Sequence, residues 1–365
     1  MIGVALIAAG ANLHAQTLGV VYVITGITVT DLSPGYAPES VANDISQSGT
    51  VVGWAGTATH RSALKHEFGR AWDIGATFPG ESSEILGINN LEESVGYRTV
   101  NGVPRPVYWD DSGWLDLDAG KDPYGFARAI NDHRTITGTN SYGTGYWLTP
   151  WSPYRWIWIQ RHGYDINNAG VIVGQNRGAG PSRIFRWDSG FFYWLAEPTC
   201  SQPSFRTLYD LSNPYDPWPD MGAAHGINNY NVMVGYYACG RAFVATTAAS
   251  RDLGTLPYGS TSRAYDINDA GFVVGEADTA TPPAPGTFSL MRNAGFIWHN
   301  DIGMVELPNL PNGDPVAMCR ANALNNRNVS ASGLIQVVGA CTVRGKRHAV
   351  RWDVTTQEVP IWWFF

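Results

Sequence analysis

Residues 264–275 read AYDINDAGFVVG, and near copies recur along the chain: GYDINNAGVIVG from 163, AHGINNYNVMVG from 224 and ARAINDHRTITG from 127. Each phrase has the chemistry of a hairpin. In the copy from 163, Asn167 to Gly170 fits a type I turn, with Asn at the first position and Gly at the fourth, where positive φ is required. Asn268 with Gly271 repeats the pattern, as does Ser46 with Gly49. Such a turn followed by a left-handed residue joins two antiparallel strands, here an AYDI-like strand and a VVG-like strand. The recurring Asn therefore reads as a turn former.

Aligning on the closing glycine gives seven copies, at Gly53, Gly96, Gly138, Gly174, Gly235, Gly275 and Gly339. By subtraction the intervals run from 36 to 64 residues. That variation disfavours a solenoid, whose rungs keep nearly constant length, and suits a radial array with loops free to grow at the rim. An aromatic strand follows each hairpin: residues 69–73, 105–109, 145–148, 183–187, 241–244, 295–298 and 348–352. A further apolar segment precedes the next copy, as at 114, 251 and 304. Four strands in each of seven copies predict an all-β, seven-bladed β-propeller, with the aromatic residues packing blade against blade.

Composition agrees. Apolar residues make up 44% and charged residues 15%, with 41 Gly and 22 Pro, the profile of many short strands joined by turns. A chain of 365 residues exceeds the usual size of a single core unless that core is built by repetition. Residues 16–365 are accordingly read as one domain, with aromatic-rich insertions near 142–161 and 191–220.

The order DLGTLP, then SRAYDINDAGFVVG, then a GFIW strand resembles the HAF repeat, named for a His-Ala-Phe element and described as a probable extracellular repeat. That element survives here as Arg241, Ala242, Phe243 and as His348, Ala349, Val350. The likeness runs from about residue 28 to the end. Copies two, three, five and seven depart from it, having Glu92, Arg134, Asn231 and an expanded NNRNVSASG where the turn glycine belongs. The resemblance implies an exported repeat protein and carries no catalytic residues with it.

A propeller must close its ring, and VYVITGITVTDL at 21–32 with EVPIWWFF at 358–365 are the segments expected to do so. The apolar run within residues 1–15 resembles the tail of a secretory signal lacking its basic flank. It is too short for the ~20 residues of a membrane span, and the repeats lack the ~9 to 11-residue lipid-facing strands of an outer-membrane barrel. Four cysteines fit export to an extracellular or periplasmic space: Cys319 is expected to pair with Cys341, and Cys200 with Cys239.

A net charge of −7 without Lys/Arg runs gives no footprint for nucleic acid. Nucleophile-elbow, P-loop, dinucleotide and H-E-x-x-H motifs are absent. No spacing compels a metal site on His60 with His66 or His162 with His225. The acid pairs Asp110/Asp111, Glu92/Glu93 and Asp116/Asp118 read as solvated turn and edge charges. Asp165 with Asn167, and Asp266 with Asn268, resemble the start of a calcium loop, but apolar Val171 and Phe272 follow where acids would be needed; turns are preferred, with calcium a minor alternative and no other cofactor expected.

The insertions carry the candidate ligand-binding residues Trp151, Trp156, Trp158, Tyr209, Tyr215 and Trp218, on loops of the kind that hold binding groups. Three functions compete. The preferred one is a non-enzymatic exported propeller that binds a glycan or a protein partner. The second is a carbohydrate-active hydrolase or lyase with its site at the central channel. The third is a surface or assembly subunit that self-associates.

Overall fold

Every copy of the repeat folds as a four-stranded antiparallel sheet, and seven such sheets stand in a ring. The structure is a computed structural model describing residues 20–75, 80–117, 124–157, 161–176, 183–195, 222–280, 291–311, 317–326 and 333–360. Among these residues every regular element is a strand, and no helix is long and apolar enough to cross a membrane. Blade one comprises Glu39–Ile45, Val51–Gly56, Arg61–Glu67 and Arg70–Asp73, in that order across the sheet. The innermost strands of blades two to seven are Ser83–Ile88, Gly125–Ile130, Arg161–Ile166, Ala223–Ile227, Ser262–Ile267 and Cys319–Leu324. Each innermost strand contacts those of the neighbouring blades, and the circle closes between blades seven and one.

Closure is made by the N-terminal strand Val20–Asp31, which pairs antiparallel with Lys346–Pro360 as the outermost strand of blade seven. The expectation for residues 21–32 holds. On the other side the partner begins earlier than 358, because the aromatic third strand itself runs on to Pro360; residues 361–365 lie outside those described. In blade one the third strand is Arg61–Glu67 and the aromatic segment expected in that role, at 69–73, supplies the fourth. That third strand reads RSALKHE, with no large aromatic to mark it.

Seven apolar clusters occupy the seven interfaces between consecutive blades. Trp147, Phe185, Phe243, Phe296 and Trp352, all from aromatic third strands, are fully buried in them. Cys319 and Cys341 face each other in the register of blade seven and are joined as a disulfide. Cys239 is disulfide-bonded as well; its expected partner Cys200 lies outside the described residues.

The hairpin turns of blades one to six each carry a residue of positive φ at the fourth position. Gly49, Gly170 and Gly271 have φ of 93°, 77° and 85°. Glu92, Arg134 and Asn231 take the same position with φ of 65°, 64° and 62°, so the turn keeps its geometry without glycine. Phe68 shows a similar strain without a compensating contact. It leads the two-residue turn Phe68–Gly69 at φ 50°, is 95% exposed, and belongs where Asn is favoured. Replacing Phe68 by Asn is expected to stabilise the protein by about 1 kcal/mol, read as a raised urea midpoint with unchanged slope.

Candidate functional site

The closing glycine of the repeat and the lining of the axial channel have one cause. Against its second strand, each innermost strand carries one β-bulge: the register slips between Ala42 and Asp44, Ile85 and Gly87, Ala127 and Ala129, Gly163 and Asp165, Ala224 and Gly226, Ala264 and Asp266, and Ala321 and Ala323. A bulge bends its strand and re-aims the extra residue. Here the extra residues are Asn43, Leu86, Arg128, Tyr164, His225, Tyr265 and Asn322, and all seven line one cavity of about 380 Å³ on the ring axis. The glycines on which the copies align stand opposite the bulges; a Cβ at Gly53, Gly96, Gly174, Gly235, Gly275 or Gly339 would come within 1.9 to 2.0 Å of an inner-strand carbonyl oxygen.

The cavity lies at the end where the inner strands begin, away from the hairpin turns. Its walls join guanidinium groups to aromatic rings. Arg128 from blade three lies 5.3 Å from the Tyr164 ring of blade four, and the same ring stacks on His225 of blade five at 4.4 Å. His225 stacks on Tyr236 at 5.5 Å, and Arg263 of blade six covers Tyr236 at 5.0 Å. The file of planes thus spans four blades. Tyr265 meets His225 edge to face and lies under Arg320 at 3.9 Å. Across the channel, Arg61 and Arg347 both cover Trp54.

The carboxylates of the wall are tied down. Glu84 accepts hydrogen bonds from Arg61 at 2.6 Å, Asn43 at 2.9 Å and the Tyr97 hydroxyl at 3.0 Å. Glu276 accepts from the Tyr265 hydroxyl at 2.6 Å and faces Arg263 at 3.7 Å. Asp278 accepts from the backbone N–H groups of Ser260 and Thr261.

One step beyond the bulged residues, Asp44, Asp165 and Asp266 form a deeper layer. They retain some accessible surface, yet lie far from bulk water inside the ring. Each carboxylate accepts the N–H of the next residue and an N–H of the following blade: Ile88 for Asp44, Ile227 for Asp165 and Leu324 for Asp266. Loss of hydration outweighs those bonds. It pushes Asp44, helped by repulsion from Asp266, up to about 7, and Asp266 up to about 6. Asp165 is raised well above the usual carboxylate range, by burial first and then by repulsion from Asp266 and Asp44.

A folded-state pKa above the unfolded one means the native state binds protons that the unfolded chain has released. The stability these groups contribute is complete below about pH 4 and is lost as pH rises through 6 to 7. The melting temperature is therefore expected to fall between pH 5 and pH 8. Asp44→Asn should shrink that difference, whatever it does to the absolute value, and a difference of unchanged size would refute the assignment.

The sequence-derived candidates fall in several places. Trp151 is 69% exposed in the connection between the third and outer strands of blade three, at the turn end of the ring and thus opposite the cavity. Trp156 belongs to the outer strand Arg155–Trp156, its side chain outside the description; Trp158, Tyr209, Tyr215 and Trp218 lie outside the described residues. His162 and His225 each stack on the Tyr164 ring, at 6.3 and 4.4 Å between centroids. Asn167 and Asn268 close their turns by accepting the N–H groups of Gly170 and Gly271 at the fourth positions. The oxygens a calcium loop would use are instead bound to N–H groups, and among the described residues no group of three His, Cys, Asp or Glu is placed to hold a metal ion. Glu93, expected at a solvated edge, is buried against Asn89 and Arg134, because its turn is pressed against the next blade.

Sequence reasoning missed the second task of the recurring Asn. While its Oδ1 accepts from its own turn, its Nδ2 donates to the matching carbonyl of the next blade: Asn89 to Asn131, then to Asn167, Asn228, Asn268 and Asn325. The following residues form a second circuit through Asn90, Asp132, Asn168, Asn229, Asp269 and Asn326.

No protein-family model matches the chain, and no curated protein matches it. Solved structures resemble it at the level of shape. An extracellular domain assigned to a hybrid two-component system of B. thetaiotaomicron is 9% identical over 88% of this chain, with a TM-score of 0.48; this chain spans 39% of that one. YCF48 from Cyanidioschyzon merolae is 11% identical over 90% of this chain and 98% of its own, with a TM-score of 0.46. A gluconolactonase from Xanthomonas campestris is 10% identical over 89% of this chain and 100% of its own, with a TM-score of 0.40. The chain itself is a seven-bladed β-propeller with a side-chain-lined cavity on its axis.

Proposed function

We propose that the protein is an exported, HAF-like repeat propeller acting as a non-enzymatic binding module, with a glycan as its ligand and the axial cavity as its site. The observation that carries this is the bulge in every blade, which directs seven side chains into one space of about 380 Å³. That volume falls in the range of roughly 300 to 1,000 Å³ typical of small-ligand sites. The Cys319–Cys341 disulfide supports an oxidising compartment. Binding is favoured over hydrolysis because Glu84 and Glu276 are held by arginine and phenol partners, whereas hydrolysis needs one carboxyl protonated and one free to act. The lyase alternative draws on His225 between Tyr164 and Tyr265, and the aromatic insertions around Trp151 offer a separate face for a protein partner.

A glycan array probed with the native chain, Leu86→Trp and Trp151→Ala tests the assignment. Leu86 is a bulged cavity residue, so the larger ring should block the site and abolish binding, while Trp151→Ala should bind as the native chain does. The reverse result would move the site to the aromatic face. Recovery of the bound glycan chemically unchanged after prolonged incubation is expected; a cleaved or unsaturated product would establish the enzyme alternative.

A further inference from the structure

The charge of the cavity opposes that of the chain. Five guanidinium groups line it, from Arg61, Arg128, Arg263, Arg320 and Arg347, against three carboxylates, from Glu84, Glu276 and Asp278, in a protein of net charge −7. Arg61 and Arg263 are matched to Glu84 and Glu276, and Arg347 pairs with Glu39 at 2.8 Å. Arg128 has no carboxylate partner among the described residues, and its buried Nε has no hydrogen-bond acceptor. A buried donor left in that state costs free energy that a ligand acceptor would restore.

Arg128 lies against Tyr164, which stacks on His225, so the neighbouring rings fix its guanidinium at one place on the wall. Three blades round the ring from Arg128, Asn322 presents the complementary chemistry. Its Nδ2 donates to the Ala42 carbonyl at 2.8 Å, while its buried Oδ1 has no donor. That oxygen calls for a hydroxyl. The deeper aspartates compete little for these groups, being taken up by pairs of backbone N–H bonds.

We infer that the axial cavity takes an acidic sugar, its carboxylate on Arg128 and a ring hydroxyl donating to Asn322 across the channel. This rests on the glycan-binding proposal and specifies the ligand within it.

The test is calorimetry of the full chain with a short uronate oligosaccharide, its neutral counterpart and citrate, at low and moderate salt, for the native protein, Arg128→Gln and Asn322→Leu. Native protein should bind the uronate at least tenfold more tightly than the neutral sugar, with the margin shrinking as salt rises. Arg128→Gln should reduce uronate affinity to the level of the neutral sugar, a loss at least tenfold larger than any it causes for the neutral sugar; Asn322→Leu should weaken both sugars. Equal affinity for acidic and neutral sugars, or an uronate preference that survives Arg128→Gln in a variant of native melting temperature, would overturn this inference and leave the glycan proposal standing. Citrate binding as tightly as the uronate would overturn the sugar assignment, and failure of every saccharide to bind would overturn both.

Discussion

Gly275→Ala is expected to cost on the order of 3 kcal/mol, more than most single methyl groups added to a buried strand. The residue lies opposite the bulge at Ala264 and Asp266, and its Cβ would be 1.9 Å from the Arg263 carbonyl oxygen and 2.9 Å from the carbonyl carbon. Backbone on both sides belongs to hydrogen-bonded strands, so relief requires the bulge to flatten, and flattening withdraws Tyr265 from the cavity. Loss of stability should therefore come with loss of ligand. Gly295→Ala is the control in the same blade, because its Cβ would meet nothing nearer than 3.4 Å. Equal melting temperatures for the two variants would show that the bulge is not what demands glycine.

Asn167→Ala should be nearly as damaging, at about 3 kcal/mol, given roughly 1 to 3 kcal/mol for each buried polar group stripped of its partner. Its Oδ1 accepts from Ala169 and Val171, and its Nδ2 donates to the Asn228 carbonyl and to Asn231 Oδ1. A turn former alone would lose only the first two. Asn167→Asp separates the roles, since a carboxylate can still close the turn but sets an oxygen against two oxygens of blade five. Urea unfolding should find Asp as harmful as Ala at neutral pH; an Asp variant close to native would reduce the residue to its turn.

What could be read from the sequence follows from how far each signal reaches along the chain. The hairpins were legible because Asn at the first turn position and Gly at the fourth act over four residues, and seven repetitions of the motif set the blade count. The blade-to-blade bonds of the same Asn side chains were hidden, because donor and acceptor lie 36 to 61 positions apart in pairs such as Asn131 with Asn167 and Asn167 with Asn228. The cavity was hidden for another reason. Asn43, Leu86, Arg128, Tyr164, His225, Tyr265 and Asn322 share a backbone position but no single residue type, so no motif could collect them. Variation was the signal: within a phrase otherwise repeated, the third residue before the Asn changes in kind from copy to copy. The calcium resemblance at Asp165 and Asp266 came from oxygens spaced to bind N–H groups of a neighbouring blade.

The pairing of residues 20–31 with 346–360 also bears on how the molecule is made. Asp31 and His348, bonded at 2.9 Å, are 317 positions apart, so the strand Val20–Asp31 can find its place only after all the blades between them have been synthesised. Blades one to six can each assemble from consecutive residues as they emerge, but the ring stays an open crescent, with one unpaired strand edge and a half-formed channel, until that last contact is made. Binding competence is therefore a property of the closed ring, and a protein interrupted before blade seven could form the sheets already made while having no site.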